Sequence, residues 1–212
     1  MKVARHPPSF LTRVALIAIG LALLPLAARA ETAQVAAGQD ALPPVVLKTP
    51  KFNRAFLAPV DGLSVRDYAH LVFQMFAGDV TDNATFLASH GVTQAQFDHA
   101  NEAMTKRMQD DPTRKFIDIY GAYFIENAPG PFAAYAKDVA NSVLNDVNLR
   151  EKEPFAWDEY MRLQGYYARK APFARDTSRA AYDEILADQG MNFIDFQVLG
   201  AWYGRKMARD VK

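Results

Sequence analysis

The chain has 212 residues, with 24 basic side chains, 24 acidic side chains and no cysteine. This balance gives no general attraction to nucleic acid or to anionic lipid, and the lack of cysteine excludes disulfide bonds and thiol chemistry. Hydrophobic residues make up 50% of the sequence, enough for a chain of this length to fold around its own core.

Residues 1–30 have the pattern of a secretory signal peptide. Basic residues precede an apolar run over residues 14–26, and Ala28-Arg29-Ala30 is a small-x-small cleavage site. The apolar run is shorter than the roughly 20 residues that a membrane-spanning helix needs. The pattern predicts a bacterial protein that is periplasmic or secreted, is cleaved after Ala30, and is not stably inserted in a membrane afterwards.

The predicted cleavage changes the charge of the chain. The first 30 residues hold four of the 24 Lys and Arg and none of the 24 Asp and Glu, so the remaining 182 residues have a net charge of −4. Residues 31–62 are rich in Ala, Pro and Val and lack a helical period, which predicts an extended or disordered linker. Near its end, Phe52, Phe56 and Leu57 are expected to pack against the first helix.

Residues 63–212 show helical periodicity and no long alternation of apolar and polar residues. The first helix is expected to begin at Ser64, which forms a capping box with Asp67. We therefore predict one all-α domain of about eight helices after the extended N-terminal segment.

A helix end, a glycine and a new helix start occur twice, 99 residues apart, at Gly91-Val92-Thr93 and Gly190-Met191-Asn192. In each copy glycine suits the end of a helix, and Thr or Asn suits the N-cap of the next helix. The apolar stripes that follow are Phe97, Ala100, Met104 and Met108 in one copy, and Phe196, Leu199, Tyr203 and Met207 in the other.

This match predicts an internal repeat of residues 64–111 and 156–210. Each copy would form a three-helix unit, and a helical pair between them would join the two related units. The first helices of the units are offset by 92 residues rather than 99, so about seven residues are inserted in the second unit, within residues 168–178.

The first copy also resembles the turn of a helix-turn-helix DNA-binding unit over about a dozen residues. Ala88, Gly91-Val92-Thr93 and Phe97 carry the resemblance, which implies that the second helix reads DNA. That helix begins with Asp98 and Glu102, where contact with phosphates and bases requires cations or amides. We therefore expect no nucleic-acid partner.

No pattern of catalytic or metal-binding residues stands out. His99 and Glu102 share a predicted helix face, but a zinc site needs three or four converging ligands, so we predict neither a metal nor another cofactor. Adjacent acids such as Asp158-Glu159 point in different directions on a helix, and we predict no catalytic residue. An envelope hydrolase with a carboxylate-based site is an alternative, recognisable by two acidic side chains about 5–9 Å apart in one pocket.

The most distinctive surface candidate is a run of cations and aromatic residues in 162–179, which coincides with the inserted segment. Such residues can hold anionic or carbohydrate partners through charge and stacking. The alternative interpretation is a solvated helix end whose tyrosines belong to the core. The candidate partner-binding residues are Arg162, Tyr166, Tyr167, Arg169, Lys170, Phe173, Arg175 and Arg179.

These patterns together predict an exported all-α binding protein. Its partner would be a protein or envelope component, held in a groove between helices or on the 162–179 surface. The alternatives are the carboxylate-based hydrolase and a structural protein that associates with itself. The residue patterns favour binding over catalysis and leave the partner and the oligomeric state open.

Overall fold

The computed structural model describes residues 50–78, 80–174 and 178–210. The predicted signal peptide and residues 31–49 of the predicted linker lie outside these ranges. Within them the chain forms eight α-helices and no strand, which confirms the predicted all-α fold. The helices are α1 Val65–Ala77, α2 Asn83–Ser89, α3 Gln94–Asp110, α4 Lys115–Ile125, α5 Ala133–Asn145, α6 Trp157–Lys170, α7 Arg179–Leu186 and α8 Phe193–Asp210.

We call the two junctions at Gly91-Val92-Thr93 and Gly190-Met191-Asn192 the elbows, and in each the glycine ends a helical segment in the left-handed region of backbone space. Gly91 has φ +70° and Gly190 has φ +67°, where an L side chain would be strained. At the first elbow, the N–H of Val92 donates to the carbonyl of Leu87 at 3.0 Å and closes the turn. The second elbow includes a short 3-10 turn, Ala187–Gln189, before its glycine.

The helix starts after the two elbows also share one capping geometry. The Thr93 hydroxyl accepts from the N–H of Gln96 at 3.2 Å, and the Gln96 side chain accepts from the N–H of Thr93 at 3.0 Å. Asn192 accepts from the N–H of Asp195 at 2.9 Å, and the Asp195 carboxylate accepts from the N–H of Asn192 at 3.5 Å. Reciprocal bonds of this kind satisfy backbone donors that an uncapped helix start would leave unpaired.

The stripes after the two elbows point into the core. Three side chains of each stripe are fully buried, and the terminal methionine of each is half-buried. The two stretches therefore agree in glycine conformation, cap and buried face. That residues 64–111 and 156–210 arose by duplication stays a prediction.

The helices surround one continuous core. Helix α1 packs along α4, α4 along α5, and α5 along α8, so these four helices form a central row. Helices α2 and α3 pack with α1 at one end of the row, and α6 and α7 pack with each other and with α8 at the other. Most of the buried apolar side chains of both three-helix units belong to a single hydrophobic cluster.

Residues 50–62, within the segment that the sequence assigned to the linker, lie against this helical body. The ring of Phe56 lies 6.3 Å from that of Phe116 in α4, and Phe56 packs against the shared apolar cluster. Arg107 of α3 donates to the carbonyls of Phe56 at 2.9 Å and Ala58 at 2.7 Å. Leu57 stays partly exposed, at 37%.

Candidate functional site

The predicted binding residues fall into two groups in the structure. One group is buried or contacts other residues of the chain, and the other is exposed to solvent. Tyr167 is partly buried and packs against the core, with its ring 4.5 Å from that of Phe196 and 5.8 Å from that of Phe193. Burial raises the pKa of Tyr167, as expected for a phenol surrounded by other rings. Arg175 lies outside the described residues.

Three more of the predicted residues are held by neighbours in the same chain. Arg179 forms an ion pair with Asp183 at 2.9 Å, four residues along α7. The Tyr166 hydroxyl donates to the carbonyl of Ile185 at 3.2 Å and so ties α6 to α7. Arg162 lies 3.4 Å from Asp158, with both side chains about three-quarters exposed at 75% and 77%. The first two contacts stabilise the packing of α6 and α7, whereas the third is a weak surface pair.

The remaining residues, Arg169, Lys170 and Phe173, lie open at the C-terminal end of α6, and we call them the α6-end surface. Phe173 is 84% exposed and sits in the 3-10 turn Ala171–Phe173 that extends the helix. The Lys170 ammonium lies 6.0 Å from the centre of the Tyr166 ring. Cations are favoured at this end of a helix by the helix dipole, so the position of the two charges has a local structural explanation.

A cleft lies between the start of α6 and the end of α8. It has a volume of about 220 Å³ and is lined by Glu153, Trp157, Lys206, Met207 and Asp210. The Lys206 ammonium lies 2.9 Å from the Glu153 carboxylate and thereby partly neutralises the cleft. Trp157 is 43% exposed beside this cleft, and Met161, one turn further along α6, is 48% exposed.

A polar cluster between α1 and the end of α4 was not predicted as a site. Arg66 donates to the Glu126 carboxylate at 2.7 Å, and His70 contacts the same oxygen. Asn127 lies 3.3 Å from the His70 ring. Glu126 directly precedes Asn127-Ala128-Pro129-Gly130, where α4 has ended, and its partners on α1 are about sixty residues away, so no local pattern links them. Because Arg66 and His70 both contact one oxygen of Glu126, the cluster links α1 to the end of α4 and has a structural role.

A second unexpected feature is the buried carboxyl of Asp195, in the first turn of α8. The residue is 3% exposed, and its Oδ1 atom has no hydrogen-bond partner among the described residues. A Cβ atom added to Gly130 would lie 3.0 Å from this oxygen, so the loop between α4 and α5 closes over the carboxyl. Burial raises the pKa of Asp195, and the nearby Asp183 raises it further. A carboxyl so enclosed does not suit a group that must reach a substrate.

Neither the arrangement of metal-binding side chains among the described residues nor comparison with known proteins indicates what the site binds. Across the described ranges, no three His, Asp or Glu side chains converge on a position that could hold a metal ion. The helices in those ranges are too short or too polar to span a bilayer. Comparison of the chain with protein-family models, with curated proteins and with solved structures found no match.

Proposed function

We propose that this is an exported binding protein whose partner, a protein or envelope component, docks on the α6-end surface. The exposure of Phe173 at 84% beside Arg169 and Lys170 is the observation that carries the proposal. Burial of a Phe side chain against a partner would contribute about 1.5–3 kcal/mol, which the isolated chain leaves unused. Export is supported by the pattern of residues 1–30 alone.

The chemistry of this surface favours a partner segment that is acidic and carries an apolar side chain. Arg169 could bind a carboxylate through two parallel hydrogen bonds, and Lys170 would add a second positive charge. Phe173 would supply the apolar contact, since aromatic and Arg side chains together are typical of the residues that dominate binding energy.

A photo-crosslinking amino acid at position 173 tests this proposal in the producing cell. We expect a covalent adduct with an envelope component, and we expect Lys170→Glu to weaken it because the positive charge of the surface is then cancelled. Lys137, exposed on α5, provides the matched control position. No adduct at position 173, or equal adducts at 173 and 137, would overturn the proposal.

The same preparation tests export. The protein recovered from the periplasm or the medium is expected to begin at Glu31, as measured by N-terminal sequencing. Recovery of a chain that keeps residues 1–30 in the cytoplasm would contradict the proposed location.

A further inference from the structure

We propose that two copies of this chain associate through the outer face of α6, with the two α6 helices antiparallel. This inference does not rest on the proposed function, although it shares Arg169 with the α6-end surface. Lys170 lies about 180° from Met161 around α6, so the pair would leave Lys170 open.

The outer face of α6 carries an apolar stripe that the fold covers only in part. Trp157, Met161, Gly165 and Ala168 fall within about 80° of the helix circumference. Trp157 and Met161 are 43% and 48% exposed, and Ala168 is exposed as well. Of the four large hydrophobic side chains that are exposed in the described ranges, these two are adjacent on one helix face, which distinguishes them from scattered surface residues.

A glycine in the middle of α6, Gly165, also favours the close approach of a second helix. Glycine in the middle of a helix costs about 0.5–1 kcal/mol relative to alanine. Among the described residues, and leaving aside the backbone of α6 and the two neighbouring residues, only the Arg169 guanidinium, 3.5 Å away, lies within 4 Å of the place where a Cβ would be, so there is room for a side chain. Gly165 is partly exposed, and a small residue on a helix surface lets the backbone of another helix approach closely.

The stripe is complementary to itself when one copy is turned by a two-fold rotation. Large side chains, Trp157 and Met161, lie in the N-terminal half of α6, and the small Gly165 and Ala168 lie in the C-terminal half. In an antiparallel pair, Met161 would pack against Gly165 of the second copy, and Trp157 against its Ala168. Contacts of this kind occur twice in a two-fold interface, so each favourable contact counts double.

The charged side chains beside the stripe are also complementary between two antiparallel copies. Asp158 lies beside the stripe in the N-terminal half, and Arg169 lies beside it in the C-terminal half. The antiparallel pair brings Asp158 of each copy within reach of Arg169 of the other. Among the described residues, the Asp158 carboxylate forms a long, exposed contact with Arg162 at 3.4 Å, which it can exchange at little cost.

The cleft beside Trp157 extends this face toward α8. Its volume is about 220 Å³, and Met207 adds an apolar wall. The C-terminal end of the second α6 would pass over this cleft, so the pair would cover exposed surface beyond the stripe itself.

Sedimentation equilibrium of the purified protein over a range of concentrations tests the pair. We expect a mass that approaches twice that of one chain. Gly165→Leu should weaken the association at least about tenfold because the larger side chain separates the helices. The variant should melt no lower than the wild type, because leucine favours the helix. A wild-type protein that stays monomeric, or a Gly165→Leu protein that associates as the wild type does, would overturn the inference.

A charge exchange tests the antiparallel orientation. Asp158→Arg and Arg169→Asp should each weaken association, and the double variant should restore it because every contact is then reversed. Lys137→Asp, on exposed α5, is the control and should leave the mass unchanged. Failure of the double variant to regain association, with melting temperatures intact, would exclude this orientation.

Discussion

At the scale of single residues, the most unusual environment is that of Asp195. Its carboxyl caps the start of α8 but is also sealed beneath Gly130, so one oxygen lacks a hydrogen-bond partner among the described residues. Burial of an ionised group without full hydrogen bonding costs free energy, which is why the pKa of Asp195 rises. The residue therefore stabilises the helix start and destabilises the folded state when it is charged.

We predict that Asp195→Asn raises the melting temperature at pH 7. A raised pKa means that the folded protein loses stability as the pH rises from the ordinary value of 3.8 through the folded pKa. Asparagine has no such ionisation and keeps an oxygen for the N–H of Asn192. The difference in melting temperature between variant and wild type should be largest at pH 7 and should shrink below pH 3.8. A variant that melts lower than the wild type at pH 7 would contradict this account.

At the scale of elements, each elbow combines a left-handed glycine, a reciprocal cap and a buried stripe. These features are local, because the bonds join residues three apart and the glycine ends the segment that comes just before it. The elbow sets where one helix stops and the next begins, and the fully buried Phe97 and Phe196 then orient each new helix on the core. Equal geometry should give equal energetic cost when a cap is removed.

We predict that Thr93→Ala and Asn192→Ala each lower the free energy of unfolding by about 1 kcal/mol, because each removes the acceptor for one backbone N–H at a helix start. Urea denaturation followed by circular dichroism measures both. Ser89→Ala is a suitable control, since Ser89 is exposed at the end of α2 and caps no helix start. A loss at one elbow and none at the other would show that the two caps differ in strength.

At the scale of the whole molecule, buried polar contacts join helices that the sequence separates. The Asp138 carboxylate on α5 accepts from the backbone N–H groups of Arg150 and Glu151 and from the indole of Trp202 on α8 at 3.3 Å. The Tyr203 hydroxyl donates to the carbonyl of Phe155 at 2.5 Å and fixes the segment that leads into α6. These contacts hold α5 and the segment before α6 on α8, and the shared apolar cluster joins the two three-helix units.

We predict that both units unfold in one transition, because they share a core. Trp157 and Trp202 are the two tryptophans of the chain, and both lie in the second half, so their fluorescence reports chiefly on that half. Circular dichroism reports on all helices. The two signals should give the same midpoint in urea, and Asp138→Ala should shift both midpoints together. Midpoints that separate would show that the units fold independently.

The number, order and junctions of the helices could be predicted because their causes are local. Ser64, Thr93 and Asn192 accept from backbone N–H groups three residues ahead, and apolar residues repeat at helical spacing. The three-two-three order of helices follows from these signals. The candidate surface could be predicted only in part, because Tyr166, Tyr167, Lys170 and Phe173 are close together in sequence and lie in different environments.

The sequence by itself determined the all-α class, the two capped elbows and the presence of cations and aromatic residues around α6. Only the tertiary structure decided that Tyr167 faces the core, that Phe173 faces solvent, and that Glu126 joins Arg66 and His70 across about sixty residues of chain. The physical reason is the distance along the chain over which each kind of interaction acts. Capping and helical period act within one or two turns, whereas the buried side of a helix rich in aromatic residues is chosen by the helices that pack against it.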